Sequence, residues 1–517
     1  MLTTNFMRLA AFGLTLLASS AFAELKVEAK LDKPAKVGDN FLAIHIVDEN
    51  GAPIDGATIK IDVAMTSMDM GASHPRATGL GGGNYRATLA FSMAGLWRAT
   101  ITASAPNEKP ATVRLDWQAK GGQGMAGMDM GQAMAGRLGP WPMQRESSGT
   151  SWIPESSPMY MKMLPKAGAF DLSLMGFLTF NESDAGGKRG DSRFYSNSMI
   201  MLMGSERAGG GTFGFSLMGS LDPVFNGEYG YPDLFQTGET AHGNRLTDYQ
   251  HPHDLLDEVT VSYRHAVGKS LHSFVYGGPV GEPALGGPTF MHRPSGMDIP
   301  EAPISHHWFD STHISWGVAT LGIGGESWQV EASAFNGHEP NENRYAPDPI
   351  RLDSSSMRLS VNPSRNLSLN ASYGYLKSPE STEPGIDQHR LTAAAIWNQP
   401  LAHGDNLAFT AAFGRNIIAG KNSDAFLAEA TWQVGKNSIF GRWEHVQKDE
   451  LVGVPVGNYM INKFIVGGIR NLESWKGFDV GLGGYVGFYV FPDVLDTAYG
   501  RNPVTVGVFL RIRPGKM

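Results

Sequence analysis

The sequence predicts an all-β chain in two parts: an N-terminal immunoglobulin-like β-sandwich, then a transmembrane antiparallel β-barrel of about 16 strands. Three observations predict it. Between residues 170 and 513, apolar and polar side chains alternate at period two in segment after segment. Each segment runs about ten residues, the length a tilted strand needs to cross a bilayer. The connections alternate too, tight turns of roughly three to seven residues with loops of about eight to thirty-five, as in a barrel with one short-turn end and one long-loop end. Once the N-terminus is set aside, no apolar run is long enough for a helical span.

The pattern places strands near 170–180, 194–204, 211–220, 256–265, 271–277, 310–321, 326–335, 352–361, 366–376, 389–398, 406–415, 424–434, 438–447, 460–470, 477–488 and 502–513. Val504, Val506, Val508, Leu510 and Ile512 form one face of the last, with Thr505, Arg511 and Arg513 on the other. Glu258, Arg264, Glu429, Arg511 and Arg513 fall on polar faces, which suits a water-filled or salt-bridged interior. The even strand count puts both ends of the barrel on the periplasmic side, with the long loops facing outward or folded into the lumen.

Composition narrows the function. Lys and Arg number 42 against 50 Asp and Glu, a net charge of −8, which argues against a nucleic-acid partner. The 517 residues include no cysteine, so disulfides and thiolate metal sites are excluded. No G-x-S-x-G occurs, and nothing else marks a hydrolase, so no enzymatic activity is expected. The 24 methionines are clustered.

Residues 1–23 read as a secretory signal: Arg8 supplies the positive charge, Leu9 to Leu17 the apolar core, and Ala21-Phe22-Ala23 the cleavage site. Residues 24–118 form the sandwich, with alternating stretches at 40–48, 57–66, 84–91, 96–105 and 112–117. Residues 119–169 form a linker rich in Met, Gly and Pro, in which five prolines from Pro140 to Pro165 exclude long regular elements. The barrel occupies 170–517.

Within the sandwich, Met65-Thr-Ser-Met68-Asp-Met70, then Gly83-Asn84-Tyr85-Arg86-Ala87, then Phe91-Ser-Met93-Ala-Gly95-Leu-Trp97 resembles the YtkA-like/FixH-like periplasmic domain. The resemblance implies a copper-handling or cytochrome-oxidase-assembly setting. The layout of the whole chain, a Met-rich segment ahead of a barrel, resembles the copper resistance protein B family. The chain departs from the usual barrel ending, since it closes on Met517 rather than an aromatic residue, with Phe509 nearby.

Two constellations are candidate metal sites. Thioethers are soft, neutral ligands that suit Cu(I). Met125, Met128, Met130 and Met134 are spaced to wrap one ion in a Gly-rich segment with little apolar company, and Met68, Met70, His74 and Met93 are further candidates in the sandwich. Met65 continues the Ile59-Ile61-Val63 face and is expected in the core, whereas Met199, Met201 and Met203 are expected as a lipid- or lumen-facing stripe. The second constellation is histidine: ten of the fifteen lie between residues 242 and 338. His251, His253, His306 and His307 are its centre, with Asp254 or Asp257 adding charge, and imidazole suits Cu(II) or another divalent ion. An imidazole site with unperturbed rings loses its ion as pH falls through about 6.5.

The function expected is copper sequestration or efflux in the outer membrane, with Met sites capturing Cu(I) in the periplasm. The partners expected are outer-membrane lipid and periplasmic copper proteins. Two alternatives compete: a general solute channel with incidental Met and His, and a structural adaptor whose sandwich docks a periplasmic partner. The oligomeric state stays open.

Overall fold

The computed structural model describes residues 23–517 except 37, 66–72, 92–94, 107, 120–135, 269 and 473. The chain divides into two units at residues 130 and 131.

In the first unit, strands Lys26–Leu31, Gly38–Val47, Asn84–Phe91 and Ala77–Gly81 form one antiparallel sheet in that spatial order. Thr58–Met65, Gly95–Ser104 and Ala111–Ala119 form the other. Alternate residues of both sheets meet in one apolar core of Leu42, Ile44, Ile61, Val63, Leu89, Phe91, Trp97 and Ile101. Phe91 and Trp97 stack at 5.2 Å between ring centroids. Met65 is buried there, as its place on the Ile59-Ile61-Val63 face predicts. The sequence reading missed the strands at 26–31 and 77–81, which are short and carry little apolar signal.

In the second unit, sixteen antiparallel strands close into a barrel. They are Phe170–Ala185, Ser198–Ala208, Gly211–Gly219, Leu256–Val267, Leu271–Gly281, Ser315–Gly324, Trp328–Phe335, Ser354–Ser364, Leu367–Leu376, Gln388–Pro400, Asn406–Ile418, Lys421–Val434, Asn437–Lys448, Tyr459–Asn471, Phe478–Val490 and Val504–Pro514. Closure runs from Leu178↔Ile512 to Ala185↔Thr505, joining the first strand to the last. Closure leaves no free edge, so the backbone of each strand is satisfied within the barrel, as a bilayer requires.

The two faces of the wall are sorted oppositely to a soluble core. Val506, Val508 and Trp432 point outward at 50%, 56% and 48% exposure, while Glu429 and Arg511 point inward at 1% and 2%. An apolar outer belt around a charged interior is what lipid outside and polar groups inside select.

Two connections differ from expectation. The gap expected at 415–424 is a two-residue turn, Ala419-Gly420, on the long-loop end, with Ile418 and Lys421 paired. Both turn residues have left-handed φ, 48° and 77°, the twist that suits a tight hairpin. The strand expected at 310–321 begins instead at Ser315, because 311–313 form a short 3₁₀ turn inside the barrel.

The lumen is filled from both ends. Part of the segment expected as linker enters it: Thr150 O accepts from Gln329, Ile153 O from Asn362 and Trp152 O from Ser368. From the long-loop end, residues 282–314 cross to the opposite wall. There Arg293 is held by Glu429 at 2.6 Å, Ser305 donates to Glu444 at 2.6 Å, and Asp298 meets Arg511 and Arg513. Glu429, Arg511 and Arg513 are therefore plug anchors, whereas Glu258 and Arg264 bond to neighbouring strands.

Candidate functional site: a histidine cluster inside the barrel

Three long loops meet inside the barrel. The first, after Gly219, folds into a hairpin, Tyr231–Ala241 with Asn244–Gln250, and delivers His251 and His253 directly after it. The second delivers His306 and His307 on a one-turn helix, His306–Phe309, and His313 on the 3₁₀ turn Ser311–His313. The third, after Phe335, supplies Glu339 and Arg344.

The five rings stand together. Centroid separations are 5.2 Å for His253–His313 and for His306–His313, 5.4 Å for His306–His307, 5.7 Å for His251–His307 and 6.0 Å for His251–His306. With metal–nitrogen bonds near 2.0 Å, imidazoles sharing an ion at tetrahedral angles have centroids about 5 Å apart. As the rings stand, no three His, Asp or Glu side chains among the described residues close on one ion. Holding an ion would therefore require the rings to move.

His253, His306 and His313 are hydrogen-bonded through Nδ1, while Nδ1 of His307 and of His251 lies near a glutamate. His253 meets Asp222 at 2.8 Å, His306 meets Asp310 at 2.6 Å, His307 meets Glu339 at 3.0 Å and His251 meets Glu239 at 3.1 Å. His313 Nδ1 lies 2.8 Å from the Asp310 carbonyl oxygen. An acceptor at Nδ1 selects the tautomer with its proton there and leaves the Nε2 lone pair free, the arrangement of carboxylate–histidine–metal sites. Nε2 of all five rings is buried and has no hydrogen-bond partner in the protein. Each such atom costs about 1–3 kcal/mol unless a water or an ion meets it.

Electrostatics divides the set. Burial pushes His307 down to about 3, holds His251 and His313 well below the ordinary imidazole value, and lowers His306. These rings stay neutral and able to ligate at acidities where a free histidine is protonated, so the acid limit of the site lies lower than unperturbed rings imply. Burial also opposes charge on His253, but the Asp222 carboxylate outweighs it and raises the ring to about 9. An ion binding there has to displace a proton. Burial would raise the Asp310 carboxyl, yet His306 and Arg293 hold it at about 2. Arg293 bonds Asp310 at 3.0 Å and also Glu429, which ties the cluster to the barrel wall.

Gly238 makes the approach possible. Its φ is +112°, and a Cβ there would run into the His307 ring.

The structure thus brings together His251, His253, His306 and His307, and adds His313. The strand expected at 310–321 runs across His313, which the structure instead places on the 3₁₀ turn that follows Phe309. Asp254 is committed to Arg344 at 3.3 Å and to the Trp316 indole at 3.1 Å, and Asp257 is buried close by. His242 lies apart on the surface with Glu228. His74 is exposed and pairs with Asp62 at 2.6 Å. Met68, Met70, Met93, Met125, Met128, Met130 and Met134 lie outside the described residues.

The YtkA-like family model matches residues 20–102, in agreement with the motifs of the sandwich. No curated protein matches the chain. Among solved structures, Salmonella typhi OmpF in complex with daunomycin is 11% identical, covers 67% of this chain and 98% of its own, and has a TM-score of 0.43. Pseudomonas putida OprB at high pH is likewise 11% identical, over 67% of this chain and 94% of its own, at 0.43. Vibrio cholerae OmpT in its trimer form is 9% identical, over 67% and 99%, at 0.40. At these scores the likenesses carry no functional argument, and the layout resemblance to the copper resistance protein B family gains no support from them. The chain is therefore similar to the YtkA-like family over residues 20–102 and, in broad fold, to outer-membrane porins over about two thirds of its length.

Proposed function

We propose that this protein is an outer-membrane barrel that handles copper, holding a divalent ion among the five lumen histidines and capturing Cu(I) on methionines of the periplasmic segment. One observation carries the reading: five buried imidazoles stand together with Nε2 unpartnered, three of them hydrogen-bonded through Nδ1. An all-nitrogen, largely neutral donor set suits Cu(II) over the hard cations Mg and Ca. The plugged lumen favours binding or gated passage over free diffusion.

Met125, Met128, Met130 and Met134 supply the Cu(I) arm, since four thioethers offer no charge to a borderline dication such as Zn(II). The N-terminal unit sits in the periplasm in this reading, where periplasmic copper proteins are its partners.

The test is elemental analysis of full-length protein purified from copper-supplemented cells, beside His251→Ala/His306→Ala. Copper retained by the parent and lowered, but not abolished, in the variant supports the reading. Equal copper in both sinks it. The second reading, a solute channel, rests on the closed sixteen-stranded barrel. Steady single-channel conductance with no copper bound would favour it.

A further inference from the structure

We propose that the barrel holds a second metal site of different chemistry: a methionine-lined cavity at its short-turn end that binds a soft monovalent cation, Cu(I) or Ag(I). The site deepens the copper reading but stands on other residues, and its test is separate.

Strand register builds it. A short strand ahead of the barrel, Met161–Ala167, pairs with the first barrel strand; Met161 pairs with Met175, Met175 with Met201, and Met201 with Met218, so four neighbouring strands place a methionine in one cross-strand row. Directly opposed residues have Cβ atoms about 4.5–5.5 Å apart, within reach of each other's thioethers. Along one strand Met199, Met201 and Met203 follow at period two, and the residues between them turn outward, with Ile200 exposed. The stripe expected to face lipid or lumen therefore faces the lumen.

Beside this row lies a cavity of about 90 Å³. Nine of the residues lining it are methionines, three of them (Met159, Met161, Met163) from the segment that leads into the first barrel strand. Methionine ordinarily serves as adaptable core filler, and filler leaves no room. Here thioethers from several elements surround an open space, with few carboxylates to attract a hard ion.

The cavity also leads somewhere. Met291 and His292, on the 3₁₀ turn Phe290–His292, line it and also line a second, smaller cavity of about 10 Å³. That second cavity is bounded by Met201, Met218 and His313 of the histidine cluster. His292 Nδ1 is buried and without a partner. Soft sulfur donors thus run from the short-turn end of the lumen to the imidazoles, and a cation bound on the thioethers lies next to nitrogen donors.

The experiment uses the full chain with Met68, Met70, Met93, Met125, Met128, Met130 and Met134 changed to Leu, which removes the competing thioethers of the N-terminal region and serves as the parent. Ag(I) is the probe, because it is soft and redox-inert. A Met175→Leu, Met199→Leu, Met201→Leu, Met203→Leu variant keeps volume and hydrophobicity and removes four sulfurs. The expected result is at least tenfold weaker Ag(I) binding in that variant and unchanged Ag(I) binding in His251→Ala/His306→Ala. Unchanged Ag(I) affinity in the methionine variant would overturn the proposal and leave the histidine reading intact. Should the variant fail to fold, silver X-ray absorption on the parent decides: a sulfur-dominated shell supports the site, and a shell of nitrogen or oxygen alone refutes it.

Discussion

The two units of this chain use the same local signal to opposite ends. In the N-terminal sandwich, alternation sends Ile61, Val63, Leu89 and Ile101 into a dry core. In the barrel, alternation sends Val506, Val508 and Trp432 outward and turns Glu429 and Arg511 inward. Period two creates two faces per strand but does not say which is the inside. Pairing two sheets face to face buries the apolar side; closing one sheet on itself around charged side chains exposes it. The difference shows that a barrel of this kind is stabilised internally by specific polar bonds to its plug, whereas the sandwich relies on apolar packing.

The largest break in that contrast should come from Glu429→Ala. It leaves Arg442 buried with no charged partner and Arg293 with Asp310 alone. Breaking such a buried network costs about 3–5 kcal/mol. The expected outcome is a loosened plug, seen as increased conductance and faster proteolysis within 282–314. Unchanged conductance would mean that the wall does not anchor the loop.

The outward faces should respond in opposite ways. Val466, mid-strand and 57% exposed, faces lipid, so Val466→Lys should destabilise the barrel by about 2–4 kcal/mol in a membrane mimetic. Thr88 in the sandwich is also exposed and faces water, so Thr88→Lys should change stability by less than about 0.5 kcal/mol. Urea unfolding of the two variants reads both, and equal effects would undo the assignment of lipid and water faces.

The metal-free plug should be held most firmly near neutral pH. His307 has its ring value depressed to about 3, so below about 6.5 a released loop takes up a proton that the folded one refuses, and stability falls with pH. Between pH 6.5 and 5 this is worth about 2 kcal/mol. His253, raised to about 9, acts in the opposite sense: its contribution is complete below about 6.5 and is lost as pH rises through about 9. Hydrogen exchange in 220–255 and 282–314 should speed up on both sides. A monotonic profile would refute the split assignment.

A modest effect belongs to the sandwich core. Ile101→Val removes one buried methylene and should cost about 0.5–1.5 kcal/mol in that unit. The barrel's resistance to denaturation should not change, since the two units have separate interiors.

The sequence by itself determined the two units, the sixteen strands and most of their order, because each of these follows from local alternation and turn spacing. It also pointed to His251, His253, His306 and His307, because crowding of one residue type into two long loops is visible without coordinates. It could not assign Met199, Met201 and Met203 to the lumen, since which face of a strand looks inward depends on closure. Nor could it bring His313 into the cluster or match each ring to Asp222, Glu239, Asp310 or Glu339. The partners stand 4 to 32 residues apart, only His307–Glu339 joins two different loops, and the pairings exist only once the loops fold into the lumen. The row of methionines from Met161 to Met218 has the same origin: strand register decides it, and register is a property of paired strands.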